Sequence, residues 1–428
     1  MKFYSTRNHD NSVNFEEALL KGLASDGGLY FPEIIPKFTD DEIKGLENMN
    51  LLHVAYLVLE KWFGDEISSD GLREIVSEAS NFEIPIVNIA GINIVDLTHG
   101  PTMAFKDVAA RYLSLLMRYL LKKRNEEKVI LVATSGDTGG AIAHGFSEVE
   151  NIKVVILYPK NRVSKLQEEQ LTRVASNIYP IEIEGSFDDC QALVKEALVD
   201  SSLNKINLGS ANSINIGRLL PQIIYYVYAY SQIKKNEKNI RFVVPSGNLG
   251  NLTAGLFASK MGLPINFLAA INANETLLRY SDSGKYEPLE TKITFSNAMD
   301  VSNPSNFERI MDLVKNDVSE FRKKLNVYSV DDIMTVETIK SVYEEYDYLL
   351  DPHTAVGYKA LVENDSEKFN NILISTASPV KFAREIEDKT GIIISDKDQI
   401  KKLSKLVKRK TKMQNDYMSF KQYLVTNS

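Results

Sequence analysis

Short apolar segments alternate with helix-like segments from about residue 92 onward, and this alternation leaves few architectures open to the chain. Apolar and β-branched runs, which predict strands, lie at residues 93–97, 128–133, 153–158, 179–183, 241–245, 265–271 and 371–375. Helical spacing predicts helices at residues 108–122, 141–147, 188–198, 217–230 and 252–261. Strands that alternate with helices form parallel sheets whose faces are covered by those helices. The predicted fold class is therefore α/β with mainly parallel sheets.

The length of the chain indicates more than one structural unit. Its 428 residues exceed what one hydrophobic core supports, since single cores stop growing at roughly 250–300 residues. The first 90 residues are mixed, with two helix-like stretches, one following Asn14 and one at residues 51–62. No repeat and no flexible linker divides the rest. We therefore predict a mixed N-terminal domain over residues 1–90, followed by two interleaved lobes.

Composition argues against several classes of function. The net charge of −7 disfavours general nucleic-acid binding. We expect the basic residues 401–410 to form a solvated terminal helix that docks on the body of the protein through Leu403, Leu406 and Val407. There is no apolar run of about 18 residues, and the N-terminus lacks a signal peptide's apolar segment, so we expect a cytoplasmic protein without a membrane partner. Cys190, the single cysteine, excludes an intrachain disulfide. The five scattered histidines predict no metal centre.

Two glycine-rich turns follow predicted strands. Residues 134–140 read Thr-Ser-Gly-Asp-Thr-Gly-Gly, and residues 245–253 read Pro-Ser-Gly-Asn-Leu-Gly-Asn-Leu-Thr. A strand followed by small polar residues and then a helix presents backbone N–H groups to an anion. The first turn matches neither a Walker A loop nor Gly-x-Gly-x-x-Gly. Either turn alone could be an ordinary tight turn, but two in one chain favour a site for phosphate or another anion.

Three further positions carry groups suited to chemistry, each with a plainer alternative. Lys106 begins a helix, where the dipole disfavours a cation; it is either solvated or paired with Asp107, or it is a buried amine that forms a Schiff base with an aldehyde. Thr376 follows the last predicted strand, where its hydroxyl either caps a helix or donates to a ring nitrogen or an oxyanion. Arg218, with Asn212, either binds a phosphate or lies on a helix face.

Together these residues resemble the threonine synthase family, which uses pyridoxal 5′-phosphate and has the type II (tryptophan-synthase-β) fold. The resemblance covers nearly the whole chain and is to the longer bacterial and fungal form. It is carried by residues 15–18, 26–32, 99–107, 134–139, 213–215, 296–301, 351–356 and 376–382. It implies a large lobe built from residues 91–110 and 221–428, with a small lobe, residues 111–220, inserted into it. The implied reaction converts O-phospho-L-homoserine and water to L-threonine and phosphate.

The resemblance also implies a role for each candidate residue. Lys106 would hold the cofactor aldehyde as a Schiff base and then act as the base, and Thr376 would hydrogen-bond the pyridine nitrogen. The cofactor phosphate would be bound by the backbone N–H groups of Gly247, Asn248, Leu249, Gly250 and Asn251. Asp137 would lie near the cofactor 3′-oxygen, where relatives place an Asn. The substrate phosphate would contact Thr134, Thr138, Asn212 and Arg218, and the substrate carboxylate would lie near residues 98–102.

Two alternatives stay open on the sequence alone. One is a different type II enzyme, such as a threonine dehydratase or a cysteine synthase; residues 212–218 and the N-terminal domain argue against it. The other is a non-catalytic small-molecule-binding protein that keeps the fold, against which the presence of Lys106 argues. We expect a monomer or a homodimer that binds a small-molecule substrate and no nucleic acid.

Overall fold

The computed structural model describes residues 1–233 and 239–427, and the predicted large lobe also contains residues 234–238 and 428, which lie outside the described residues. The strands are, in chain order, β1 (Lys2–Ser5), β2 (Asn8–Asn14), β3 (Tyr30–Pro32), β4 (Ile86–Ile89), β5 (Ile92–Asp96), β6 (Lys128–Ala133), β7 (Ile152–Pro159), β8 (Ile178–Glu184), β9 (Leu208–Ser210), β10 (Asn239–Pro245), β11 (Ile265–Ile271), β12 (Leu325–Ser329), β13 (Phe369–Ser375) and β14 (Thr411–Gln414).

The α-helices cover the faces of the sheets. They are α1 (Phe15–Lys21), α2 (Asp40–Gly45), α3 (Leu51–Phe63), α4 (Ser69–Ala79), α5 (Lys106–Arg124), α6 (Asp137–Gly145), α7 (Lys165–Thr172), α8 (Phe187–Val199), α9 (Ile216–Leu219), α10 (Ile223–Gln232), α11 (Gly250–Lys260), α12 (Thr276–Ser283), α13 (Phe307–Leu313), α14 (Val318–Lys324), α15 (Asp332–Tyr346), α16 (Pro352–Glu363), α17 (Ala383–Thr390), α18 (Lys397–Leu403) and α19 (Tyr417–Asn427). Short 3-10 helices lie at Leu46–Asn48, Ser201–Leu203, Leu220–Gln222, Asn297–Met299 and Pro379–Phe382. No helix in residues 1–233 and 239–427 is both long and apolar enough to cross a membrane.

The N-terminal residues form an antiparallel sheet, in the order β2-β1-β3, together with helices α1 to α4. The helix predicted after Asn14 is confirmed: the Asn14 side chain accepts a hydrogen bond from the Glu17 backbone N–H at 2.8 Å. The helix predicted at residues 51–62 is confirmed as α3. This region packs on α11 through aromatic rings, with Trp62 and Phe257 centred 5.9 Å apart. The N-terminal residues therefore support the helix that begins at the second glycine-rich turn.

Two separate sheets form the rest of the molecule, and the predicted α/β class is confirmed. The six-stranded sheet has the order β12-β11-β10-β13-β5-β4 and is parallel except for β4. The five-stranded sheet has the order β14-β8-β7-β6-β9 and is parallel throughout. The chain leaves the six-stranded sheet after β5 and returns to it at β10. The largest hydrophobic core joins the N-terminal residues to the helices between the two sheets.

The C-terminal segment adds to the five-stranded sheet. Strand β14 pairs in parallel with β8, placing Thr411 opposite Ile181. Helix α19 packs on α8 and buries Phe420 and Leu424. Residues 411–427 therefore join the sheet of the predicted small lobe, although they fall within the range 221–428 of the predicted large lobe.

The predicted docking of the basic segment is wrong. Helix α18 ends at Leu403, and the following Leu406 and Val407 are 49% and 65% exposed. Ion pairs hold this part of the chain instead, because Lys408 lies 2.8 Å from Glu169. Hydrophobic spacing indicated a helix here, but the charges of the neighbouring helix α7 decide how the segment is bound.

The helix predicted over residues 217–230 is interrupted. Helix α9 ends at Leu219, a 3-10 turn contains Pro221, and α10 begins at Ile223. Proline has no N–H group for the helical ladder, so the regular α-helix is interrupted there. The interruption separates Arg218, on the short α9, from the long buried helix α10.

Candidate active site

A cavity of about 520 Å³ lies where strands of both sheets present their carboxyl ends. Residues that follow β6 and β9 line one side of it, and residues that follow β10 and β13 line the other. The lining contains all the residues that the resemblance assigned to the cofactor and to the substrate phosphate: Lys106, Thr134, Asp137, Thr138, Asn212, Arg218, Gly247, Asn248, Leu249, Gly250, Asn251 and Thr376. Ligand sites in parallel α/β sheets characteristically form outside the carboxyl ends of strands.

Backbone pairing brings Lys106 and Thr376 together. The N–H of Phe105 donates to the carbonyl oxygen of Thr376 at 2.9 Å, and Ala104 forms an isolated bridge with Ala377. The hydroxyl oxygen of Thr376 is buried and has no hydrogen-bond partner among the described residues. It caps no helix, because the next helical turn begins at Pro379. The free hydroxyl therefore faces the cavity with an unmet need for a partner.

The nearest carboxylate to the Lys106 amine belongs to Asp137, with Nζ and Oδ2 3.5 Å apart. Asp107 does not pair with it, because its carboxylate accepts the backbone N–H and the hydroxyl of Thr102 at 2.8 and 2.6 Å. Burial lowers the pKa of Lys106; Asp137 opposes this effect, and the charges of Lys381 and Arg218 reinforce it. Compared with an exposed lysine, the neutral, nucleophilic form of this amine is therefore more accessible.

Asp137 lies between two lysines. Lys381, which is fully buried, places its Nζ 3.0 Å from the second oxygen of Asp137, and Gln167 donates to the same oxygen at 2.9 Å. Burial raises the pKa of Asp137, but Lys381 and Lys106 outweigh it and hold the pKa far below its usual range. Asp137 is therefore a carboxylate. Sequence reasoning missed Lys381, since it stands in no turn that follows a strand and its partners come from distant segments.

The turn that follows β6, residues 134–140, is called here the carboxylate turn. The hydroxyl oxygen of Thr134 accepts the backbone N–H groups of Gly136 and Gly139 at 2.9 and 2.8 Å. Gly136 has φ +132°, a conformation that favours glycine. These contacts shape the first turn of α6 around Asp137 and leave Thr138 partly exposed to the cavity.

The turn that follows β10, residues 246–251, is called here the neutral turn because it carries no charged side chain. The backbone N–H groups of Gly247, Asn248 and Leu249 have no acceptor in the part of the chain that the structure describes. A Cβ at Gly247 would lie 2.7 Å from the Cα of Met299, so the backbones approach too closely for any other residue. Free N–H groups at the start of α11 form a site for an anion.

The asparagine side chains of the neutral turn hold it in place. Asn248 donates to the Ser213 hydroxyl at 2.5 Å and accepts the Ser305 backbone N–H at 2.6 Å. The side-chain oxygen of Asn251 accepts the hydroxyls of Tyr225 and Tyr226 at 2.7 and 2.6 Å. The Nδ2 of Asn251 is buried without a partner among the described residues, so this group and the backbone N–H groups are the parts of the turn free to bind a ligand.

Arg218 is a buried cation at the cavity. It donates from Nη1 to the carbonyl oxygen of Ala211 at 2.7 Å, while its Nε has no partner among the described residues. Burial lowers the pKa of Arg218 to about 10, so it stays charged at neutral pH. Asn212 is committed to Ala133: it accepts that residue's N–H at 3.0 Å and donates to its carbonyl at 2.6 Å. Asn212 thus anchors the end of β6 beside the cavity.

Residues 98–102, where the substrate carboxylate was expected, are absent from the cavity lining. The backbone N–H and the hydroxyl of Thr102 are both bound to Asp107. His353 lines the cavity although the sequence indicated no role for it; its Nε2 accepts the Ala298 backbone N–H at 3.1 Å, and its Nδ1 lies 2.8 Å from Asp351. Residues 1–233 and 239–427 contain no cluster of side chains that could hold a metal ion.

These groups fit pyridoxal phosphate. The cofactor has an aldehyde, a ring nitrogen and a phosphate, which need an amine, a hydrogen-bonding hydroxyl and an anion site. Lys106 supplies the amine and Thr376 the unpartnered hydroxyl. The neutral turn supplies free backbone N–H groups with a close glycine approach.

Comparison with known proteins places the chain among its relatives. A family model described as pyridoxal-phosphate dependent enzyme matches residues 85–372; models of the threonine synthase N terminus and C-terminal region match residues 2–80 and 354–424. Threonine synthase of Buchnera aphidicola subsp. Schizaphis graminum is 41% identical and covers 99% of this chain and 100% of the relative. Threonine synthase of Escherichia coli (strain K12) is 40% identical over 90% of both chains.

Solved structures agree with the sequence comparisons. The crystal structure of threonine synthase from Escherichia coli matches with a TM-score of 0.94 and 36% identity over 100% of both chains. Threonine synthase from Brucella melitensis, with pyridoxal phosphate bound, matches at 0.92 and 35% over 99% of this chain and 98% of that one. A threonine deaminase from Solanum lycopersicum, at 0.55 and 14% over 88% of this chain and 99% of that one, shares the fold alone. The chain belongs to the threonine synthase family of pyridoxal-phosphate-dependent enzymes.

Proposed function

We propose that the protein converts O-phospho-L-homoserine and water to L-threonine and phosphate, the last step of threonine biosynthesis. The observation that carries this proposal is the cavity, which combines an amine whose pKa is lowered by burial, an unpartnered hydroxyl and two separate provisions for phosphate. One provision is the neutral turn, and the other is Arg218 beside the carboxylate turn. A substrate that carries its own phosphate explains why a pyridoxal-phosphate enzyme needs both.

The cofactor, when bound, supplies the electron sink that lets protons leave the substrate carbons. Lys106 would hold the cofactor and then carry protons at Cα and the neighbouring carbons, and the lowering of its pKa by burial favours this task. The hydroxyl of Thr376 would hydrogen-bond the ring nitrogen without protonating it. Asp137, kept ionised by two lysines, would lie beside Lys106 at the cofactor's 3′-oxygen.

Arg218 would hold the substrate phosphate together with Thr134, Thr138 and Asn212. Its unpartnered Nε and its burial make it a strong anion partner, because a charge-assisted hydrogen bond gains strength where water is excluded. We propose that this group retains the released phosphate, which then steers the attack of water and assists as a base. Unchanged turnover in Arg218→Ala would remove the support for this role.

The test is phosphate release from O-phosphohomoserine by the purified full chain, with threonine identified as product. The unaltered protein should be yellow, and Lys106→Ala should lose both the colour and about 10²–10⁴-fold of the rate. Lys402→Ala, which alters an exposed lysine on α18, is the matched control and should change neither. A yellow protein that releases no phosphate would contradict the proposal and favour a dehydratase-like activity.

We also propose that the protein acts in the cytoplasm as a monomer or a homodimer, with no nucleic-acid or membrane partner. The acidic net charge and the single cysteine support this assignment. Sedimentation of the full chain over a concentration series tests the oligomeric state: a single species of higher order than a dimer would contradict it.

A further inference from the structure

Lys381 has no role in the function proposed above, yet its buried amine has three acceptors within hydrogen-bond distance. Its Nζ lies 3.0 Å from Oδ1 of Asp137, and it donates to the carbonyl oxygen of Thr102 at 2.7 Å and to the side-chain oxygen of Gln170 at 3.1 Å. The side chain is fully buried. A buried lysine is destabilising unless it is paired and hydrogen-bonded, and this one has all three acceptors in reach.

We propose that Lys381 is a positioning residue that holds one oxygen of Asp137 so that the other faces Lys106, and that its charge keeps Asp137 from stabilising the ammonium form of Lys106. The inference rests on the assignment of Lys106 as the lysine that holds the cofactor. Lys381 itself lines no part of the cavity. It acts through Asp137, which does.

The groups around Lys106 show how this works. Asp137 approaches from α6, Arg218 from α9, and Lys381 from the 3-10 helix Pro379–Phe382; the Phe105 ring centroid lies 4.8 Å from Nζ. Asp107, next in the chain, is committed to Thr102 and leaves Asp137 as the facing carboxylate.

One carboxylate is thus shared between two cations. Lys106 and Lys381 are paired with opposite oxygens of Asp137. A like charge disfavours the charged form of its neighbour, and an opposite charge favours it. Removing Lys381 removes a repelling cation and also leaves Asp137 to Lys106 alone. Both changes stabilise the ammonium form of Lys106.

Lys381 also fixes the position of the carboxylate turn. Its backbone carbonyl accepts the Ser164 hydroxyl at 2.8 Å, and Ser164 caps α7. Helix α7 supplies Gln167, which donates to Asp137, and Gln170, which accepts from the Lys381 amine. The orientation of Asp137 is thus set from two sides, by Lys381 and by α7.

The experiment measures how pH controls the capture of the cofactor by Lys106. The full chain is freed of cofactor with hydroxylamine, pyridoxal phosphate is added back across a pH series, and borohydride trapping with peptide mass spectrometry measures modification at Lys106. In Lys381→Met, the pH of half-maximal capture should rise by about one unit, with capture about tenfold slower at neutral pH. Asp137→Asn should move the midpoint in the opposite direction, since it removes the carboxylate that favours the ammonium.

Two controls separate this effect from a loss of packing. Lys381→Gln removes the charge but keeps a donor for Thr102, and it should raise the midpoint as Lys381→Met does. Lys128→Met removes another buried lysine, one that bonds Asn207 at 2.6 Å and lies outside the cavity lining, and it should leave the midpoint unchanged.

The inference fails if folded Lys381→Gln keeps the midpoint of the unaltered chain, or if Lys128→Met moves it equally. Capture at Lys106 in the unaltered chain is measured first. Its absence would refute the assignment of Lys106 and the proposed function with it. Capture at Lys106 with an unmoved midpoint in the Lys381 variants would refute only the role of Lys381.

Discussion

The carboxylate turn and the neutral turn have the same local plan and opposite electrostatics. Each follows a buried parallel strand, each contains glycines and small polar residues, and each begins a helix that faces the cavity. The carboxylate turn places Asp137 at the start of its helix, with a lysine on each oxygen. The neutral turn has no charged side chain and presents backbone N–H groups that have no acceptor among the described residues.

This difference shows that the pattern of strand, turn and helix locates a site without specifying its ligand. A helix N-terminus attracts negative charge, and in the carboxylate turn the chain supplies that charge itself. In the neutral turn the same position is left for a ligand, which makes it the expected place for the cofactor phosphate. A substrate phosphate beside the carboxylate turn needs a cation from elsewhere, and we assign that role to Arg218, a buried cation in the cavity lining.

The largest loss of affinity for pyridoxal phosphate is expected from a change in the neutral turn. Gly247→Val places a Cβ 2.7 Å from the Cα of Met299, a backbone atom that cannot move without shifting its segment. Overpacking of this kind costs about 1–3 kcal/mol, so affinity for pyridoxal phosphate should fall roughly 5- to 150-fold, measured by absorbance titration. Gly45→Val, whose nearest neighbour is a side-chain atom 4.0 Å away, is the control. Equal affinity in the two variants would contradict the assignment of the neutral turn as the site of the cofactor phosphate.

A smaller loss of affinity for pyridoxal phosphate is expected from a change in the carboxylate turn. Gly136→Ala places a side chain at φ +132° and 2.5 Å from the Gln167 side chain, which can move away only by giving up its hydrogen bond to Asp137. Backbone strain of this kind costs about 1–3 kcal/mol, so the free energy of unfolding in urea should fall by that amount. Because the neutral turn is untouched, affinity for pyridoxal phosphate should fall less than in Gly247→Val. A larger loss of affinity here would reverse the roles given to the two turns.

The smallest change in the free energy of unfolding, and one of opposite sign, is expected from a change within α6. Gly140 is a helical residue, and a Cβ there would meet Gln170 at an ordinary 3.4 Å. Gly140→Ala should therefore raise the free energy of unfolding by about 0.4–1 kcal/mol, since alanine loses less conformational freedom on folding. Thermal unfolding of the two proteins measures it. Destabilisation would mean that the carboxylate turn is packed more tightly than its contacts indicate.

Buried elements of the fold were predicted closely, and polar ones were not. The strands predicted at residues 128–133 and 265–271 have the bounds of β6 and β11, because strands buried on both faces are continuous apolar runs. Strand β2 was not predicted, since it is a row of polar, largely exposed residues held by pairing with β1. Strand β14 was missed for a related reason: its pairing with β8 joins segments far apart in the chain.

The residues of the candidate site also divide into those that the sequence predicted and those that it did not. The two turns and Thr376 could be found because each directly follows a strand, and Lys106 because it begins the helix after β5. Carboxyl ends of parallel strands meet at one edge. Lys381 could not be found, since its significance depends on three acceptors from α6, α7 and the segment before α5. Residues 98–102 were expected near the substrate carboxylate but do not line the cavity. Nothing in the local sequence indicates that Asp107 accepts hydrogen bonds from both the backbone N–H and the hydroxyl of Thr102.

The most direct test of the contrast between the turns is a crystal structure of the full chain with pyridoxal phosphate bound. The account predicts continuous density from Lys106 to the cofactor, with the cofactor phosphate on the backbone N–H groups of Gly247, Asn248 and Leu249. Asp137 should keep its contact with Lys381 and lie near the cofactor 3′-oxygen. A cofactor phosphate bound at the carboxylate turn, with the neutral turn facing the substrate, would contradict it.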